Sequence, residues 1–327
     1  MIASNSMDRP NKRTRIIAIA LITAAYVLMH YPYAGHADRS RYLRKTVRIG
    51  DIERSYGLYI PKDHTAAERG RPLVIVLHGA RGSGLLVSEY AGFNDFADSK
   101  KFFVLYPDAF GEFWNDGRVD LNSPAFKANI DDVRFISTLI DEMLSRYGLD
   151  RERVYAAGFS NGGMMAFRLA IAISGTLAAA ASVAGALPKQ LAQASPAAAV
   201  PVLIINGTDD RTVPWRGGRL VSEGKNHGEV LSVINTTVYW AVKNGCGTGA
   251  SVRILQTAGK ENGSLAFQVS YACNKPESEV VLVALQGGSH SWPGLMNLPA
   301  VGNSIGSTGI FRATEFIVDF FARHRRR

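Results

Sequence analysis

Solid apolar runs alternate along this chain with segments whose apolar positions recur every three or four residues. Pro72-Leu73-Val74-Ile75-Val76-Leu77 is such a run, and a stretch apolar on both sides predicts a central parallel strand covered on each face. Phe102–Tyr106, Val154–Ala157, Val202–Ile205 and Val280–Leu285 repeat the pattern. Between them, Asp132–Tyr147 sets Val133, Ile136, Ile140, Met143 and Tyr147 on one stripe. Val230–Lys243 and Phe311–Phe321 have the same helical period. Near the start, Thr46–Ile49 and Ser55–Ile60 alternate polar and apolar residues around Gly50-Asp51, which predicts a hairpin. The Ala-rich stretch Ala192–Ala199 reads as a connection or a helix end. Strands alternating with helices predict an α/β fold: a mostly parallel sheet with helices on both faces.

Composition refines this picture at three points. The chain has 327 residues, 46% of them hydrophobic and 20% charged, as expected of an ordinary globular protein. Asn11-Lys12-Arg13-Thr14-Arg15 is a basic segment, and the apolar stretch Ile16–Met29 follows it. Ala34-Gly35-His36-Ala37 then offers small residues at both specificity positions of a signal-peptidase site, with cleavage after Ala37. The apolar stretch falls short of the roughly 20 residues that a spanning helix needs. Residues 1–37 are therefore expected to be a signal peptide, with an uncleaved anchor as the alternative, and 38–327 a single catalytic domain. Export places the protein in the periplasm or outside the cell, with no stable membrane insertion after cleavage. The net charge of +9 is concentrated in that leader and in Arg323-His324-Arg325-Arg326-Arg327. No basic stripe interleaved with aromatics occurs, so no nucleic-acid partner is expected, and the tail reads as a solvated helix end. Cys246 and Cys273 are the only cysteines. In an exported protein they predict one disulfide, worth about 3.5 kcal/mol by chain entropy, with two buried thiols as the alternative. Neither they nor the scattered histidines have metal-ligand spacing, so no metal is expected.

In such a sheet the ligand lies beyond the carboxyl ends of the strands, and four post-strand segments carry candidate chemistry. Gly158-Phe159-Ser160-Asn161-Gly162 spells G-x-S-x-G between a strand and a helix-forming run, the setting of a serine nucleophile on a sharp turn. Gly79-Ala80-Arg81-Gly82 follows the Leu77 strand. Its Ala80 amide, or that of Arg81, could join the Asn161 amide in holding an oxyanion. His78 reads as a structural strand-end histidine. Asp209-Asp210 follows the Val202 strand, and either acid could orient a histidine while the other serves the turn. Gly287-Gly288-Ser289-His290 follows the last strand and offers a general base.

Gly-Phe-Ser-Asn-Gly-Gly-Met-Met, Asn-Gly-Thr-Asp-Asp with Val-Pro-Trp, and Gly-Gly-Ser-His-Ser-Trp-Pro-Gly resemble the poly(3-hydroxybutyrate) depolymerase and feruloyl esterase-type family of secreted esterases, in the α/β-hydrolase superfamily. Trp114-Asn115-Asp116-Gly117-Arg118, Asp131-Asp132-Val133 and Asn244-Gly245-Cys246 resemble it too. The likeness spans about Arg48 to Phe321 and implies an α/β-hydrolase fold and ester hydrolysis without cofactor. It places the nucleophile on Ser160, the acid on Asp210 and the base on His290. His is frequent in that family where this chain has Asn206. Trp114, Trp215 and Trp292 lie near the motifs and could form an aromatic rim for a phenolic acyl or sugar group. Expected substrates are polyhydroxyalkanoate oligomers, feruloyl or acetyl esters, or similar small esters. Because the chain ends at its last helix without a separate polymer-binding module, soluble esters and oligomers are favoured. The competing readings are an amide hydrolase or acyltransferase with the same triad, and a non-catalytic binding protein on a hydrolase scaffold.

Overall fold

The alternating pattern builds one large mixed sheet. A computed structural model describes residues 39–119, 123–222, 224–255, 265–273, 275–294 and 311–326. The expected leader, with its cleavage site after Ala37, lies outside these residues. Strands β1 (Tyr42–Ile49) and β2 (Ile52–Tyr59) form the expected hairpin, joined by Gly50-Asp51 with Gly50 at φ 58°. The apolar runs become β3 (Leu73–Leu77), β4 (Phe103–Pro107), β5 (Val154–Phe159), β7 (Val202–Gly207) and β12 (Val280–Leu285). Three more strands join them: β6 (Ala179–Val183), β10 (Cys246–Leu255) and β11 (Ala266–Cys273). The sheet order is β1-β2-β4-β3-β5-β6-β7-β12-β11-β10. Neighbours from β4 through β12 run parallel, and an antiparallel pair completes each edge. A separate hairpin, β8 (Gly218–Ser222) with β9 (Lys225–Val230), follows β7.

Helices connect these strands and pack on the faces of the sheet. Helix α1 (Gly84–Tyr90) and α2 (Phe93–Lys100) follow β3, and α3 (Pro124–Lys127) and α4 (Asp132–Tyr147) follow β4. Asp131 caps α4 by accepting from the Arg134 amide, and Gly148 ends it at φ 60°, so its bounds agree with the sequence period. Helix α5 (Asn161–Ala172) follows β5, α6 (Val233–Lys243) follows β9, and α7 (Ala313–Ala322) closes the fold. Ala156 packs in a core with Ile136, Ile140 and Phe167 of α4 and α5. Its neighbour Tyr155 points to the other face, where its ring stacks on Phe321 of α7 with centroids 4.8 Å apart. Helices therefore cover both faces.

Three departures from the sequence reading have physical causes. The run Ala179–Val183 lacks large aliphatics because α5 lies close to it: a Cβ on Gly163 would meet Ser182 Oγ at 2.4 Å. Helix α6 starts at Val233 rather than Val230 because Ser232 caps it, accepting from the Asn235 amide at 3.0 Å. The basic tail is solvated only in part: Arg323 and Arg325 are exposed, but His324 is buried and the segment is tied down. Arg323 and His324 pair with Glu279, Arg325 pairs with Glu152, and the His324 carbonyl accepts from Tyr155 Oη at 2.7 Å. A disulfide joins Cys246 to Cys273 across the β10–β11 pair. Among the described residues, no helix is long and apolar enough to cross a membrane.

From β3 the chain steps to β4 on one side and then to β5 on the other. Loops leaving adjacent β3 and β5 thus diverge, opening a crevice at the carboxyl edge of the sheet. The G-x-S-x-G turn and the Ala80 loop border it.

Candidate active site

The turn after β5 is held by close backbone approaches. Ser160 takes φ 54° and ψ −117°, a conformation that L residues rarely adopt and that surrounding structure must enforce. A Cβ on Gly158 would lie 2.2 Å from the Gly162 carbonyl oxygen, and one on Gly162 would lie 2.3 Å from that of Leu77. Only glycine fits either position, which explains the spacing of the motif. The Ser160 amide donates to the Val183 carbonyl at 2.8 Å, fixing the turn to β6.

Two further loops meet this serine because β7 and β12 are neighbours in the sheet. The Asp209 amide donates to the Gly288 carbonyl and the Gly287 amide to Thr208 Oγ1, each at 2.9 Å. His290 Nδ1 lies 2.7 Å from Asp210 Oδ2, and its Nε2 lies 3.0 Å from Ser160 Oγ. The other Asp210 oxygen accepts from the Thr212 and Val213 amides at 2.8 Å each. The Asp210 side chain is fully buried and that of His290 is 17% exposed. A carboxylate in that place holds the ring with Nδ1 protonated, leaving Nε2 as an acceptor for the serine proton. Asp209 is the turn residue, accepting from Thr208 Oγ1 at 3.1 Å.

The loop after β3 lies against the Ser160 turn: a Cβ on Gly79 would meet Phe159 Cδ1 at 2.9 Å. The Arg81 amide is used by the Glu112 carbonyl at 2.9 Å and the Gly82 amide by that of Gly79 at 3.1 Å. Among the described residues, no acceptor engages the amides of Ala80 or of Asn161, the first residue of α5. Of the two loop candidates, Ala80 is thus the one with an uncommitted donor. His78 has both ring nitrogens committed: Nε2 accepts from the Ala109 amide at 3.0 Å and Nδ1 donates to the Gly79 carbonyl at 2.7 Å. Burial holds its pKa below the ordinary value, so the ring stays neutral in a structural role.

The expected aromatic rim is corrected in part. Trp114 and Trp292 are each 2% exposed and use their indole N–H groups internally. Trp114 donates to the His78 carbonyl and Trp292 to Thr314 Oγ1, each at 2.9 Å. Trp292 packs edge-on against Tyr90, Phe93 and Phe159, and so anchors the His290 loop instead of lining its mouth. Trp215 is half-buried and packs against the core. Asn206 is buried in β7. The sequence reading gave no role to the side chain of Asn161 or to buried Asp116 and Arg118, although the Asp-Gly-Arg run within the Trp114 segment was visible.

Comparison with known proteins gives the family of the chain. The profile of the phospholipase/carboxylesterase family matches residues 64–227. "Putative esterase NocK" of Nocardia uniformis subsp. tsuyamanensis is 31% identical over 271 residues, covering 79% of this chain and 76% of that protein. The chain belongs to the phospholipase/carboxylesterase family, and it is a serine carboxylic-ester hydrolase with an α/β-hydrolase fold. Feruloyl esterase B of Piromyces equi is 32% identical over 185 residues, covering 55% of this chain but 31% of the fungal enzyme. In fold, the chain is similar to an acetyl xylan esterase from Aspergillus awamori, with a TM-score of 0.57 at 14% identity, covering 86% of this chain and 99% of that one.

Proposed function

We propose that this protein hydrolyses small carboxylic esters through an acyl-enzyme on Ser160, outside the cytoplasm. The observation that carries the reading is the continuous line Asp210 Oδ2, His290 Nδ1, His290 Nε2, Ser160 Oγ, with links of 2.7 and 3.0 Å. Ser160 Oγ attacks the ester carbonyl and its proton passes to His290 Nε2. The amides of Asn161 and Ala80 hold the negative oxygen. As the tetrahedral intermediate collapses, the imidazolium gives its proton to the leaving alkoxide and an alcohol departs. Water then attacks the acyl-enzyme with His290 again as base, releasing the acid and restoring Ser160. Residues from 38 onward act as one catalytic domain. Export is supported by the disulfide, which needs an oxidising compartment to persist, and by the leader sequence.

For the acyl group we favour acetyl and feruloyl esters, with 3-hydroxybutyrate oligomers as the further class. The support is the likeness to a feruloyl esterase together with the sequence motifs. The test is labelling by a fluorophosphonate probe, followed by a panel of p-nitrophenyl acetate, methyl ferulate and 3-hydroxybutyrate oligomers. Ser160→Ala should abolish both labelling and turnover. Equal labelling of wild type and Ser160→Ala would sink the acyl-enzyme. Turnover of peptide anilides without any ester would sink the ester reading.

A further inference from the structure

The Trp114–Arg118 segment holds buried polar groups that the reaction above leaves without a role. Asp116 is 2% exposed and Arg118 9% exposed. Arg118 Nε and Nη2 donate to Asp116 Oδ2 at 2.9 and 2.8 Å, and the Arg118 amide donates to Oδ1 at 2.9 Å. A buried ion pair of this kind is weak support for stability, because taking both charges out of water offsets much of their attraction.

Its position suggests what else it does. Asp116 Oδ2 accepts from Asn161 Nδ2 at 2.5 Å, while Asn161 Oδ1 accepts from the Trp114 amide at 2.8 Å. Nδ2 also reaches the Trp114 carbonyl at 3.3 Å. Both ends of the Asn161 carboxamide are thus used, leaving the side chain a single orientation. The same Trp114 donates its indole N–H to the carbonyl of His78, two residues before Ala80. One short segment therefore grips both loops that carry the amides proposed to hold the oxyanion. Ser160, at φ 54°, needs such bracing, since a sparsely populated backbone conformation persists only where its surroundings enforce it. Arg118 completes the arrangement by balancing the charge of Asp116, which would otherwise oppose the negative oxygen. It also donates through Nη1 to the His227 carbonyl of β9 at 2.8 Å.

We propose that Asp116, held by Arg118, is a positioning residue for the oxyanion hole, acting through the Asn161 side chain to aim the Asn161 backbone N–H. The proposal rests on the reading of Ser160 as nucleophile and of that amide as an oxyanion donor. The test compares Asp116→Asn, Asn161→Ala and the double variant in turnover of p-nitrophenyl acetate. Affinity for an arylboronic acid, which forms a tetrahedral adduct on a reactive serine, is measured in parallel. Asn161→Ala keeps the backbone N–H, so it reads anchoring alone.

Losing an oxyanion donor costs about 100-fold to 1,000-fold in kcat, so misaiming one should cost about 10-fold to 100-fold with KM within about twofold. Boronate affinity should fall by a similar factor, and the double variant should be no worse than the more damaging single one, because both act on the same anchor. A folded Asp116→Asn with wild-type kcat and boronate affinity would overturn the proposal, as would losses that multiply in the double variant. If Asp116→Asn does not fold, Asn161→Ala decides by itself: a wild-type kcat there overturns the proposal. Ser160→Ala separates the two levels. Hydrolysis surviving in Ser160→Ala defeats the nucleophile reading and the proposal with it, whereas loss there beside wild-type Asp116 and Asn161 variants defeats only the brace.

Discussion

At the scale of single residues, the Ser160 turn and the Asp210–His290 contact set what chemistry is possible. In Asp210→Asn, Oδ1 can still accept from the Thr212 and Val213 amides, so the loop should survive. The new NH2 group, however, would donate to His290 Nδ1 and force the proton onto Nε2, where it cannot accept from Ser160. We expect kcat to fall by on the order of 10⁴ with the melting temperature little changed; turnover within tenfold of wild type would contradict the proposed role of Asp210. Gly162→Ala places a Cβ 2.3 Å from Leu77 O and 2.5 Å from His78 O, both backbone atoms that cannot yield. That should destabilise by about 3 kcal/mol, the upper end of overpacking costs, and abolish fluorophosphonate labelling even at temperatures where the variant stays folded. The residue types at this site were legible from sequence because a turn this tight admits only glycine at those two positions. The Asp116–Asn161 contact was not, since 45 residues separate its members.

Among elements, legibility followed size and burial. Strands β3, β5, β7 and β12, buried along nearly their whole length, stood out as apolar runs, and α4 carried both its stripe and its caps. Strand β6 was invisible because its alanines answer to the closeness of α5 and not to strand propensity. Strand β10 was missed because it is exposed over most of its length at the sheet edge, so no face had to be apolar. The disulfide secures that edge. Its loop spans 27 residues, which corresponds to about 3.5 kcal/mol of chain entropy. Replacing both cysteines with serine should lower the melting temperature while leaving kcat near wild type, because the proposed triad, Ser160, Asp210 and His290, follows β5, β7 and β12. A large loss of kcat in the folded variant would show that the edge pair also shapes the site.

For the whole molecule, the tail joins the last helix to strands on the sheet's interior. Glu279 is partly desolvated, which by itself would raise its pKa, but hydrogen bonding to His324 and the charge of Arg323 outweigh this and hold it below the ordinary 4.5. A carboxyl depressed in the folded state adds stability above its unfolded value, and that stability is lost as pH falls through the folded one. Glu279→Gln should therefore melt below wild type at neutral pH, with the gap closing as the pH drops under about 4. A gap unchanged down to pH 2 would rule out this linkage. Truncation after Ala322 removes these pairs and the Tyr155–His324 bond together. It should lower stability by more than Glu279→Gln alone, read by chemical denaturation.

The sequence by itself determined the local events. These are the apolar strands, the α4 caps, the glycines that permit the Ser160 turn, and the order Ser160, Asp210, His290, each after an apolar strand. Each depends on residues close along the chain, where sterics and hydrogen bonding act without the rest of the fold. Tertiary structure decided what required distant partners. It set Asp210, and not Asp209, against His290, because pairing β7 beside β12 brings the Asp210 Oδ2 to a histidine 80 residues away. It turned two tryptophans inward, folded the basic tail onto Glu279 and Glu152, and set Asp116 against Asn161. Those outcomes follow from which strands become neighbours, and a contact made across the sheet leaves no periodic trace along the chain.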